Sequence, residues 1–179
     1  MTRPSSVRLL APLAVAAILV LGGCAGSKPK SACPAYGILS DASRGTWFRP
    51  GDGRDIVDVA YTAEVPKIDI ACSGDAKKIH ATVKLQVQVR PGAAMPAEGQ
   101  VSVPFFVTLT RDDREIVAQQ VYTSDFTFKP GEGGKAASEE AEIDIPLGEG
   151  GRIAAYEVLV GLKLDRAQLD YNRSRRRPG

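Results

Sequence analysis

The sequence predicts an all-β domain, an antiparallel β-sandwich with a short helix at its C-terminal end. Three observations predict it. Apolar and polar residues alternate with a period of two over several long stretches, turn-forming residues separate those stretches, and a helix start signal stands only from Asp165 onward.

From Ile79 to Arg90 the odd positions are Ile79, Ala81, Val83, Leu85, Val87 and Val89, and the even ones His80, Thr82, Lys84, Gln86, Gln88 and Arg90. That is a strand with one dry and one wet face. The alternation recurs at Val101, Val103, Phe105, Val107 and Leu109, at Ala141, Ile143, Ile145 and Leu147, and at Tyr156, Val158, Val160, Leu162 and Leu164. Between Val57 and Cys72 the phase changes: Val57, Val59, Tyr61, Ala63 and Val65 face one way, then Ile68, Ile70 and Cys72 follow Pro66. A bend at Pro66-Lys67 keeps both halves facing the core and turns Cys72 inward. Glu115 to Phe128 also slips phase and reads as one bent strand or two short ones. Pro104 and Pro146 fall on polar faces, which suggests edge strands, where a missing N–H costs least.

Pro50-Gly51-Asp52-Gly53, Ser73-Gly74-Asp75, Pro91-Gly92, Arg111 to Arg114, Pro130 to Gly134 and Gly148 to Gly151 supply the turns. About seven strands in about 110 residues match an immunoglobulin- or fibronectin-like sandwich in architecture, without the cysteine pair and strand-C tryptophan of antibody domains. At the end, Asp165 and Gln168 have the spacing of a capping box, with Leu164 and Leu169 at the staple positions. The helix is expected to pack through Leu169 and Tyr171, with its arginines frayed into solvent.

Ahead of the strands, Arg3 and Arg8 precede the apolar run Leu9 to Leu21. Thirteen residues span about two thirds of a ~30 Å hydrocarbon core, so the run reads as a secretory signal rather than a transmembrane helix. Leu21-Gly22-Gly23-Cys24 resembles the lipobox of bacterial lipoproteins. The resemblance implies cleavage after Gly23, a diacylglycerol thioether on Cys24 and an acylated new amine, and Ala25 at the next position implies the outer membrane. Several acyl chains, at ~0.8 kcal/mol per buried CH₂, make a durable anchor. The expected organisation is a signal peptide over 1–23, a lipidated tether over 24–32, the sandwich and helix over 33–172, and a basic tail over 173–179. Cys33-Pro34, Phe48 to Gly51 and Tyr156 to Gly161 are also similar to segments of small Gram-negative lipoproteins of uncharacterised function, which implies that these segments belong to one domain and adds nothing about activity.

Cleavage would take Arg3 and Arg8 from the 23 basic residues, leaving 21 against 21 acidic. Four of those stand in Arg173 to Arg177, so the body carries 17 basic groups and is acidic. With Cys24 lipidated, Cys33 and Cys72 are an even pair in an oxidising compartment, to be read as a disulfide or as two separate thiols.

Catalytic groups are few. The one histidine, His80, falls on a wet strand face with no nucleophile or orienting acid beside it in the pattern, and no hydrolase, zincin, Walker or dinucleotide motif is present. No catalytic residue, cofactor or metal is expected. The densest polar constellation is the loop Phe48 to Asp55. Its carboxylates Asp52 and Asp55, with Asp58, lack calcium-loop spacing, and a rigid turn in which Arg49 or Arg54 pairs with Asp52 or Asp55 is the simpler reading. Trp47, Phe48, Arg49 and Arg54 are also residue types that anchor interfaces, which makes Trp47, Phe48, Arg49, Asp52, Arg54 and Asp55 the candidate binding loop. The expectation is a non-enzymatic, lipid-anchored module facing the periplasm, held to the membrane and engaging an envelope protein, not nucleic acid; the alternative is a lipoprotein binding a small ligand or glycan.

Overall fold

The computed structural model describes residues 31–96, 99–112, 115–148 and 150–176. The expected signal peptide, Cys24, most of the tether and the tail beyond Arg176 lie outside those residues. Nine strands are described: β1 Ala35–Ile38, β2 Arg44–Phe48, β3 Val59–Glu64, β4 Ile68–Gly74, β5 Lys78–Pro91, β6 Gly99–Arg111, β7 Glu115–Phe128, β8 Lys135–Pro146 and β9 Tyr156–Leu162, followed by helix α1, Arg166–Arg176.

The period-two rows become the core. Val83, Val87 and Val89 of β5, Val103, Phe105, Val107 and Leu109 of β6, Ile143 and Ile145 of β8, and Val158, Val160 and Leu162 of β9 are almost wholly buried. At about 1.5–3 kcal/mol per large apolar side chain, these inward rows dominate the folding energy and fix the register, because a one-residue slip would turn a whole row to water.

One sheet has the order β1-β9-β6-β7; in the other β2-β3-β5-β4 are joined and β8 pairs the far side of β5. β3 and β4 lie end to end along one edge of β5, β3 against Gln88 to Pro91 and β4 against Ile79 to Leu85. They are one strand broken at Pro66, as the phase change predicted. β7 is a single strand with a bulge opposite Leu109 and Thr110. The strands β4-β5-β8 face β7-β6-β9 as strands A-B-E face C′-C-F in an immunoglobulin-type sandwich. The G position beside β9 is filled by β1, which pairs in parallel.

Four expectations need correction. β1 and β2 are additional strands, too short and too interrupted by glycine for alternation to reveal them. Pro104 sits in β6, an interior strand, at the last rung toward β9: its carbonyl accepts Lys163 N–H at 2.8 Å just past the last β9 pair, Phe105 with Leu162, so only the return bond from position 104 to Lys163 is lost. Val57 does not face the core. Nor are Arg173 and Arg175 frayed, because α1 continues through Arg176, with Arg173 bonded to Asp41 at 3.1 Å and Arg175 over the Tyr171 ring.

α1 lies along β2. Asp165 accepts Gln168 N–H at 2.8 Å while Gln168 accepts Asp165 N–H at 2.9 Å, the reciprocal capping box. One turn apart, Gln168 and Asn172 donate to the carbonyls of Thr46 and Arg44, the edge groups of β2. Cys33 and Cys72 are disulfide-bonded, with Cα atoms 5.4 Å apart. Ser31 N–H donates to Cys72 O at 3.1 Å and its hydroxyl to Gly74 O at 2.9 Å. The chain therefore runs antiparallel to β4 and joins the sandwich at the pole that holds the Asp75, Asp112 and Gly150 turns. The loop between β2 and β3 is at the opposite pole, about 36 Å away along β5 at roughly 3.3 Å per residue.

Candidate functional site

The loop from Arg49 to Asp58 is built on one buried carboxylate. Asp58, 5% exposed, accepts Asp55 N–H at 3.2 Å and Arg49 Nη2 at 2.6 Å. Its own carbonyl accepts Arg49 N–H at 2.9 Å, and its N–H donates to Asp55 O at 3.0 Å, closing the 3-10 turn Ile56–Asp58. Gly53 packs on the same carboxylate, so closely that a Cβ there would stand 2.3 Å from Asp58 Oδ2. Arg54 ties off the other side, donating to the carbonyls of Gly51 and Gly53 at 3.0 and 2.7 Å while its guanidinium lies 5.2 Å from the Phe48 ring centre. Gly51, at φ +124°, makes the reversal that a side chain would strain.

This framework displays two aliphatic side chains. Ile56 is 84% and Val57 61% exposed, the first being the most exposed large hydrophobic residue described. A turn held by a buried carboxylate and several backbone bonds has little freedom to fold them back.

The predicted loop residues divide into three groups. Trp47 faces inward: its ring stacks on Tyr61 at 4.8 Å and leaves room only for glycine at position 45, where a Cβ would meet Trp47 and Leu164 at 2.6 Å. Burial pushes the Tyr61 phenol up to about 12. Phe48 packs edge-on against Tyr171 at 5.2 Å, joining the loop to α1 across a cleft of about 280 Å³. Arg49 and Arg54 brace the turn, and Asp52 and Asp55 are exposed upon it. The carboxylate that Arg49 pairs with is Asp58, not Asp52 or Asp55. Among the described residues no three His, Cys, Asp or Glu side chains are placed to hold a metal ion.

Ile56, Val57 and the organising role of Asp58 were missed because Val57 continued the period-two row into β3. A competing signal was present: Asp55 and Asp58 have the N-cap and N3 spacing of a helical turn, which would have moved the strand start to Val59.

His80 lies on the wet face of the five-stranded sheet, between β4 and β8, with Nδ1 3.0 Å from Asp144 Oδ1 and Nε2 3.5 Å from Glu142 Oε1. The hydrogen bond to Asp144 raises its pKa above the ordinary 6.5, and His80 in turn lowers that of Asp144. The surroundings form a ladder of cross-strand ion pairs, Lys78 with Asp144 and Lys84 with Glu140, not a cleft.

No family model and no curated protein matches the chain. Among the described residues no helix is long and apolar enough to cross a membrane.

Proposed function

We propose that the chain is a non-enzymatic lipoprotein of the cell envelope, anchored through Cys24 to the outer membrane and facing the periplasm, that engages an envelope protein through the Arg49 to Asp58 loop. The observation that carries the reading is polarity. A rigid turn exposes Ile56 and Val57 at the pole opposite the one where Ser31 joins the sandwich. A tether from Cys24 to Ser31 reaches at most about 25 Å, so an anchored domain can stand with the loop turned away from its own bilayer. Two exposed aliphatic side chains on a braced turn suit a small apolar pocket on a protein partner.

The test has two arms. Metabolic labelling with a clickable fatty acid should mark the wild type and not Cys24→Ala; equal labelling removes the anchor from the reading. A photocrosslinking residue at Ile56 or Val57 should give one discrete protein adduct in intact cells, and Asp58→Ala in the same chain should abolish it. Adducts from Gln88, on the wet sheet face, with none from position 56 or 57 would move the function to that face.

A further inference from the structure

Among the described residues the sandwich protects every sheet edge but one. β2 is covered by α1, whose Gln168 and Asn172 occupy its outward carbonyls. β4 is capped by Ser31 on Cys72 and Gly74, and the Asp69 carboxylate accepts the Ile70 N–H at 2.9 Å. β1 is four residues long. β8 carries Glu139, Glu140, Glu142 and Asp144, and Tyr122 Oη donates to its Glu142 carbonyl. These are the devices by which sheet proteins avoid pairing with other chains: cover, charge and brevity.

β7 has none of these three from Ile116 to Tyr122. It is the outer strand of its sheet, and from Ile116 to Tyr122 it reads Ile-Val-Ala-Gln-Gln-Val-Tyr, with no charge, proline or glycine. Among the described residues, no backbone group of Glu115 to Val121 bonds on the side away from β6. Ile116 is 62% and Val121 48% exposed, and Val121 stands opposite Phe106 on the outer sheet face. Seven uncharged residues, four of them the strand formers Ile116, Val117, Val121 and Tyr122, on an open edge form a template for another strand.

We propose that this edge pairs antiparallel with the same segment of a second copy of the chain. The open stretch is bounded on one side by the bulge at Val117 and on the other by Tyr122, where β8 approaches. Its midpoint is Gln119. Twofold pairing about that residue sets Gln119 opposite Gln119, Ala118 opposite Gln120 and Val117 opposite Val121. Glu115 meets Thr123, so no like charges oppose one another, and self-complementarity of this kind is what an isologous contact requires. The two outer sheet faces, with Ile116 and Val121 of each copy, become continuous. A ladder of about five residues is a small interface; on the proposed Cys24 anchor the pole-reversed pair reaches one bilayer with its strands lying along the surface, where confinement raises the effective concentration.

The register makes the test specific, because directly opposed residues have Cβ atoms about 4.5–5.5 Å apart, within disulfide reach after slight adjustment. The full-length chain carrying Gln119→Cys should, on mild oxidation of intact cells, run at twice the chain mass on a non-reducing gel, with peptide mapping showing a 119–119 link. Thr127→Cys, on the same strand but past the open stretch, should stay at the single-chain mass. Adding Val121→Lys to Gln119→Cys should return the chain to the single mass without lowering its unfolding midpoint. Absence of the Gln119→Cys dimer, equal linking at position 127, or linking unaffected by Val121→Lys each overturns the proposal. A Gln119→Cys adduct with a different protein overturns it in favour of a foreign strand. None of these readouts depends on Ile56 or Val57.

Discussion

A substitution pair at Gly53 and Asp58 tests whether the loop is braced as described. Asp58→Ala removes an acceptor from the Asp55 N–H, and a hydrogen bond to a carboxylate is worth about 1.5–3 kcal/mol. The Arg49 partner is 61% exposed, so that ion pair adds only about 0–1 kcal/mol. The single change should therefore cost about 2–3 kcal/mol. Gly53→Ala places its Cβ 2.3, 2.5 and 2.7 Å from Oδ2, Cγ and Oδ1 of Asp58, and the carboxylate cannot swing aside without losing its partners. Overpacking of this kind costs about 1–3 kcal/mol. Because the three nearest obstructing atoms all belong to the Asp58 carboxylate, Gly53→Ala made in the Asp58→Ala background meets no clash from them. The double variant should be about as stable as Asp58→Ala alone, a coupling of about 1–3 kcal/mol where independent sites would add. Urea unfolding followed by the fluorescence of Trp47, the one tryptophan, and by circular dichroism measures all four corners of the cycle. Additive losses would refute the packing of Gly53 on Asp58, and a cost for Asp58→Ala below about 0.5 kcal/mol would refute the brace itself, since that is the range of unconstrained surface changes.

Opening the Cys33–Cys72 bridge by Cys72→Ser frees a loop of about 40 residues in the unfolded chain and should cost about 4 kcal/mol in denaturant unfolding, with a steeper denaturant slope as more surface becomes exposed; a loss below about 1 kcal/mol would place the constraint elsewhere. His80 gives stability a pH dependence. Its folded pKa lies above 6.5, so the stabilisation from Asp144 and Glu142 is complete below that value and is lost as the pH rises through the raised folded pKa. Unfolding midpoints of the wild type should fall across that window, while His80→Gln should show no such fall; identical profiles would deny the ion pair a role in solution. Asp165→Ala removes half of the capping box at the start of α1 and should cost about 1 kcal/mol, with amide exchange accelerating in α1 before the sheets. Uniform acceleration would mean that the helix and β2 open as one unit.

The sequence alone determined the class of fold and most of the core, because a sheet buried on one face writes itself into the chain as alternation: the inward row of β5 and that of β9 from Tyr156 to Leu162 are both legible residue by residue. It also determined the break at Pro66, where the phase shift and the proline agree, and the capping box of α1, whose bonds join residues three apart. Tertiary structure alone decided everything that rests on distant partners. Only packing shows that the proline of β6 falls where β9 ends, so that a single bond is lost, or that Arg173 and Arg175 remain helical, since Asp41 and Tyr171 hold them. Position 57 went the other way: periodicity assigned Val57 to the core, and a buried carboxylate one residue later turned it into solvent. The open half of β7 has the same origin. Its alternation resembles that of any other strand, and whether an edge is covered depends on where the remaining strands and the helix come to lie, which no local pattern encodes.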